Sequence, residues 1–175
     1  MQIETARLVI REFSVEDAEE LQEILGDRET MQYSEAAYTL EKTKKFLQEF
    51  CIAKHGALAA VHAESGKVIG YILFKEIGEA VYEIGWFFNR TYWRQGYAFE
   101  ACKAVINHAF VNLKARKIFA ETIDAVKSLS LMKKLGMKQE EVQNDRARDI
   151  LGNPVDMWVF AISAEAYIEQ DKDRL

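Results

Sequence analysis

The apolar run Val81-Tyr82-Glu83-Ile84-Gly85-Trp86-Phe87-Phe88 gives way to Trp93-Arg94-Gln95-Gly96-Tyr97-Ala98, and the chain turns at once into the amphipathic pattern of Phe99 to Leu113. A strand that passes through a small-residue loop directly into a helix restricts the fold strongly. The helix has to bury its apolar side against the sheet it has just left. The segment also implies a chemistry. The first N–H groups of a helix lack intrahelical acceptors, and together with the positive end of the helix dipole they favour an anion such as phosphate. With one glycine and one alanine the loop is a weak phosphate signal alone. Its surroundings strengthen it.

Upstream, Ile3 to Glu12 alternates apolar and polar residues and reads as a strand. Ser14 offers an N-cap, with Asp17 as its capping-box partner, to a helix whose period is carried by Ala18, Leu21 and Leu25. A second helix is expected from about Thr39 to about Lys54, after a loop at Met31 to Glu35. Ala57 to His62 and Val68 to Lys75 form a hairpin around Glu64-Ser65-Gly66-Lys67, and Gly78 precedes the strand Ala80 to Phe88. Beyond the long helix come a strand, Lys117 to Ile123, and a short helix, Ser128 to Leu135, closed by Gly136. The strands Met137 to Gln143 and Asp149 to Ile162 follow, with Pro154 in a loop or on an edge. A run of strands followed by βαβ-like units implies an α/β (α+β) chain with a mixed sheet and helices on its faces.

The length of 175 residues suits one domain, 1–175, and 49% apolar with 29% charged residues is ordinary globular composition. No apolar stretch approaches the roughly 20 residues of a membrane helix. Met1 to Arg7 lacks a signal-peptide core, so a cytoplasmic protein with no membrane partner is expected. Cys51 and Cys102 lie in apolar helical patterns and read as buried hydrophobes, not as nucleophiles or a disulfide. His55, His62 and His108 have no ligand spacing, which argues against a metal. The formal charge of −5 argues against nucleic acid as a partner and suits a cationic small substrate.

The loop Trp93 to Ala98 with Glu100-Ala101, and Ser128 to Met137 downstream, resemble the GNAT N-acetyltransferases. More narrowly, Thr5 to Arg11 and Glu83-Ile84-Gly85-Trp86 resemble the first and central strands of the branch related to ribosomal-protein Nα-acetyltransferases. The resemblance extends from about Glu4 to Ile162. It implies a mixed, mostly antiparallel sheet of about seven strands, flanked by helices, with splayed central strands. It implies acetyl-CoA as co-substrate, no metal, and direct attack by a primary amine in a ternary complex. The acceptor would be a protein N-terminus, an amino acid, a polyamine or another small amine. A homodimer edge at the C-terminal strands is a fold-level analogy.

In such a site the pyrophosphate would lie on Arg94, Gln95, Gly96, Tyr97 and Ala98, with Arg94 either a cationic contact or a surface charge. The pantetheine arm would run along the backbone of Trp86, Phe87 and Phe88, whose N–H groups would polarise the thioester carbonyl. The chain departs from the family pattern at Ala125, where relatives carry Asn, and at Met132, where they carry a Tyr that reprotonates the leaving thiolate. Ser128 matches a serine that the branch uses instead. A non-catalytic acyl-CoA binding or sensing domain is the alternative that these departures keep open.

Transfer to an amine requires an acceptor for the amine's proton. Glu83, in an otherwise apolar strand, is the candidate base; the other reading pairs it with a lysine or places it on a solvated sheet face. Ser128 is the candidate proton donor, and its position at a helix start favours an N-cap reading. Glu100 complements the helix dipole and needs no catalytic role. Tyr33, Trp86 and Tyr92 are candidates to line the acceptor pocket, against the ordinary reading of aromatics as core.

Overall fold

A computed structural model describes residues 1–124 and 126–172. Ala125, the position of the family's asparagine, therefore lies outside the described residues. One sheet of eight strands organises the chain: β1 (Gln2–Glu4), β2 (Leu8–Glu12), β3 (Ala57–His62), β4 (Val68–Gly78), β5 (Val81–Phe88), β6 (Lys117–Thr122), β7 (Lys138–Arg148) and β8 (Pro154–Ser163). Their order across the sheet is β1-β2-β3-β4-β5-β6-β8-β7, and every neighbouring pair is antiparallel except β5 and β6.

The count exceeds the expected seven because Ile3 to Glu12 is two strands. The Thr5 N–H closes a tight turn onto Leu8 O at 2.9 Å, folding β1 back on β2. At the other end Asp149 belongs to a turn and not to β8. Its carboxylate accepts from the N–H groups of Leu151 and Asn153, each at 2.9 Å. Pro154 opens β8, at a register beyond the end of β6, so its missing N–H costs no bond to that strand.

The helices α1 (Ala18–Leu25), α2 (Arg28–Met31) and α3 (Leu40–Phe46) cover one face. A 3-10 turn leads into α1, and there the Asp17 carboxylate takes the Ser14 N–H at 2.8 Å and both terminal nitrogens of Arg11 at 2.7 and 2.8 Å. Asp17 is only 5% exposed, and although burial opposes its ionisation, Arg11 and the Ser14 N–H hold it below the usual carboxylate range. A helix starts near Thr39 as expected, with the Thr39 side chain as its cap, and a π-helical segment, Leu47–Ile52, continues α3. That wide turn stacks Phe46 on Phe50 at 5.1 Å, beside Tyr71 of β4.

The other face carries α4 (Tyr97–Val111), α5 (Lys127–Lys134) and α6 (Ala164–Lys172), the last absent from the sequence reading. The two apolar cores sort the strand residues by side. Ile84 and Phe88 pack with α4, with Trp86 against them; Tyr71 packs with α1 and α3, with Leu73 and Phe87 against it.

One irregularity positions the site. β5 and β6 pair only from Val81–Lys117 to Glu83–Phe119. Above that, β5 follows β4 to Phe88, while β6 follows β8 to Thr122. Each strand keeps its antiparallel neighbour, so the twist of the two half-sheets separates them. The splay is the expected one.

Candidate active site

The opening between β5 and β6 widens into a cleft of about 1130 Å³ lined from both faces of the sheet. On one side it is bounded by Trp93, Arg94 and the first turn of α4, on the other by Tyr33, Tyr38 and Phe46 near α2 and α3. The cleft runs through the plane of the sheet.

At the α4 end, Gly96 is the N-cap with φ +83°. A Cβ there would occupy a left-handed conformation that side chains rarely adopt, so only glycine turns the corner without strain. Arg94 shares the left-handed region at φ +60°. The first intrahelical bond of α4 runs from Glu100 N–H to Gly96 O. It leaves the N–H groups of Tyr97, Ala98 and Phe99 without intrahelical acceptors, and all three residues line the cleft. Gln95 does not line it. Its carbonyl accepts from Arg7 at 2.9 Å and its side chain reaches back to Thr91 O at 3.1 Å.

The edge of β5 supplies the next polar groups. Asn89 N–H bonds Ile69 O, which fixes the alternation of the β4–β5 ladder. By that alternation Phe87 spends its backbone on Tyr71 of β4, whereas Trp86 and Phe88 turn theirs toward the splay. The Phe88 carbonyl is taken by the Trp93 indole at 2.7 Å, which ties the loop to the strand end. Of the three residues expected along the pantetheine, Trp86 and Phe88 direct their N–H groups toward the splay, beyond the last β5–β6 pair, and Phe87 does not.

The opposite half is a charged floor. Glu83 lies across from Lys75 in the β4–β5 register and pairs with it at 2.9 Å. This is the lysine pairing weighed against the base reading, and it removes the isolated carboxylate in an apolar strand. Glu121, on β6, is two residues beyond Glu83's partner Phe119 and lines the same cleft. The residue is exposed overall, and its carboxylate has no hydrogen bond or ion pair among the described residues. Partial burial against the cleft walls, and then the Glu83 carboxylate, push it above the ordinary value. Sequence reasoning missed Glu121. The alternation Ile118, Ala120 inward against Phe119, Glu121 outward on β6 was the available signal.

Ser128 is not the cap of α5. Val126 holds the N-cap position, and the Asp124 carboxylate takes over the capping bonds, accepting from the N–H groups of Val126 at 3.0 Å, Lys127 at 3.1 Å and Ser128 at 2.9 Å. The Ser128 hydroxyl donates to the same carboxylate at 3.1 Å. Asp124 is 5% exposed, and those donors outweigh its burial to keep it ionised. Met132 is 1% exposed in the core. Tyr33, Trp86 and Tyr92 all line the cleft, Tyr33 47% exposed at the α2 end and Trp86 and Tyr92 packed against the core on the α4 side. Burial raises the Cys51 thiol to about 12 and raises Cys102 as well, consistent with inert core cysteines. No group of three or more potential metal ligands occurs among the described residues. No helix among them is long and apolar enough to cross a membrane.

A strand edge left open beside an anion-seeking helix start defines a site for an extended ligand with a charged end, the shape of an acyl-coenzyme A. Residues 7–138 match the acetyltransferase (GNAT) domain, and the chain belongs to that family. It is an acetyl-CoA-dependent acetyltransferase. It is 35% identical over 143 residues, 80% of this chain and 84% of the other, to an uncharacterized N-acetyltransferase of Bacillus subtilis (strain 168), YnaD. A solved GNAT-family acetyltransferase from Bacillus anthracis superimposes with a TM-score of 0.86 at 30% identity, covering 94% of this chain and 99% of that one. The fold is also that of a spermidine N-acetyltransferase from Vibrio cholerae in complex with CoA and spermine. There the TM-score is 0.81 at 16% identity, covering 94% of this chain and 99% of that one.

Proposed function

We propose that this chain transfers the acetyl group of acetyl-CoA to a primary amine by direct attack, the two substrates meeting inside the splay. One observation carries this reading: the cleft joins an anion-binding helix start on one face to an unpaired carboxylate on the other. Acetyl-CoA supplies the activated thioester. The N–H groups of Tyr97, Ala98 and Phe99 hold its pyrophosphate, with Arg94 beside them. The N–H groups of Trp86 and Phe88 hold the pantetheine amide and polarise the thioester carbonyl.

The acceptor amine enters past Tyr33 and Tyr38. Glu121 accepts its proton, directly or through water, while Glu83 and Lys75 fix the local field. Glu121 is preferred to Glu83 because its carboxylate is unengaged and its affinity for a proton is raised. The departing sulfur takes its proton from cleft water, since the Ser128 hydroxyl is spent on Asp124 and Met132 is sealed in the core. A protein N-terminus, a free amino acid and a polyamine all present the required amine. The acidic floor favours small cations among them.

The test is thiol release from acetyl-CoA across a panel of amines, for wild type, Glu121→Gln and Glu83→Gln, from neutral to alkaline pH. Turnover should fall about 10²-fold at neutral pH in Glu121→Gln, the scale of a lost general base, and recover at high pH where the amine is already neutral. Tight CoA binding with no thiol release for any amine would overturn the acetyl-transfer reading. A deficit in Glu121→Gln that does not change with pH would remove its role as base.

A further inference from the structure

Arg7 does not line the cleft, yet it touches three consecutive residues of the loop at the α4 start, Gln95, Gly96 and Tyr97. Its Nη1 donates to Gln95 O at 2.9 Å, its guanidinium lies 4.2 Å from the centre of the Tyr97 ring, and Nη2 comes within 3.4 Å of the Cβ position of Gly96. Its Nε and Nη2 each reach Glu100 Oε2 at 2.7 Å. The other carboxylate oxygen of Glu100 accepts from the Thr5 hydroxyl at 2.7 Å and from the Arg7 N–H at 2.9 Å. The turn between β1 and β2 is thereby locked onto the first turn of α4 through one carboxylate with four donors. Although partial burial opposes it, Thr5 and Arg7 hold that carboxylate below its ordinary range.

We infer that Arg7 and Glu100 form a clamp that pre-sets the loop Arg94–Ala98 for the coenzyme A pyrophosphate, making Arg7 a positioning residue for the donor substrate. The inference rests on the acetyl-CoA reading above. Its physical content is twofold. Arg94 and Gly96 both hold left-handed conformations, without strain at Gly96 but with strain at Arg94, and a strained torsion keeps its shape only when its surroundings over-determine it. Arg7 supplies that constraint through Gln95 O, between the two. Glu100 also lies in the first turn of α4, where an uncompensated carboxylate would repel the phosphates that the helix start attracts. Arg7 neutralises it. A guanidinium suits both tasks, because its planar fork serves a carboxylate and a carbonyl together, whereas an ammonium is a single point of charge.

The experiment is calorimetric titration of CoA into wild type, Arg7→Ala and Arg7→Lys, alongside unliganded melting temperatures. Steady-state constants for acetyl-CoA are measured with an amine that the wild type accepts. Wild-type binding comes first: if wild type does not bind CoA, the acetyl-CoA reading itself fails. Given wild-type binding, Arg7→Ala is expected to weaken CoA at least about tenfold, the scale of a lost charge-assisted contact, with unliganded melting little changed. KM for acetyl-CoA should rise in parallel, with kcat and KM for the amine within about twofold. Arg7→Lys should keep most of the defect. Wild-type CoA affinity in a folded Arg7→Ala protein, or full rescue by lysine, overturns the clamp. A fall in kcat at unchanged KM for acetyl-CoA overturns it as well.

Discussion

The two ends of the cleft are built in different ways. At the α4 end the groups facing the cleft are backbone N–H groups, drawn from one continuous stretch that lies beside a glycine torsion and the Arg7–Glu100 ion pair. At the opposite end they are side chains, Tyr33, Glu83 and Glu121 among them, brought from a loop and two strands far apart in sequence. A backbone site tolerates many side chains but no change of torsion. A side-chain site can change its substrate through single substitutions without altering the fold. The donor end should therefore fail through geometry and the acceptor end through chemistry.

Gly96→Val gives the largest expected contrast. A β-branched residue at φ +83° is strained and crowds the approach of phosphate. CoA affinity, measured by titration, should fall about 100-fold or more, while the unliganded protein loses only about 1–2 kcal/mol. Equal losses of binding and stability would erase the distinction between the two ends. The Glu121→Gln and Glu83→Gln pair comes next, because the acceptor end should lose turnover with CoA affinity intact.

Away from both ends, Asp17→Asn should cost about 1–3 kcal/mol in urea unfolding, since it leaves Arg11 without its partner near the start of α1. Against the opposing effect of its burial, Arg11 and the Ser14 N–H lower the pKa of Asp17 in the folded state. Its stabilisation is therefore complete above the unfolded value, near pH 4, and is lost as pH falls through the folded one. The variant should show a flatter acid limb than wild type, and an unchanged limb would show that Asp17 is not the group responsible. The smallest expected effect is Ser128→Ala. Turnover should drop less than about threefold, because the hydroxyl donates to Asp124 and the backbone N–H bond from residue 128 to that capping carboxylate survives. A 100-fold loss would restore Ser128 as the proton donor.

The same contrast explains what could be read in advance. The strand, loop and helix from Val81 to Val111 were legible because periodicity and a helix start are local signals. The helix after Thr39 and the turn at Gly136 were legible for the same reason. The break at Thr5 to Arg7 was hidden because alternation continues on both sides of a tight turn. α6 was missed because its pattern follows directly on β8 with no Pro or Gly between them. Glu83 was correctly placed on the central strand, but its pairing with Lys75 depends on β4 register. Ser128 and Asp124 show the limit most plainly: both are good capping residues, and only the loop geometry decides which carries the turn. The contact between Arg7 and Glu100 spans the chain and has no local signature at all.

The passage through the sheet has a consequence for traffic. Under the proposed chemistry, the nucleotide-bearing substrate occupies the mouth beside α4, and the amine uses the mouth between α2 and α3. Neither needs to leave for the other to enter. Either product can depart first by its own door, and the order of release is then set by which partner dissociates faster, not by one blocking the other.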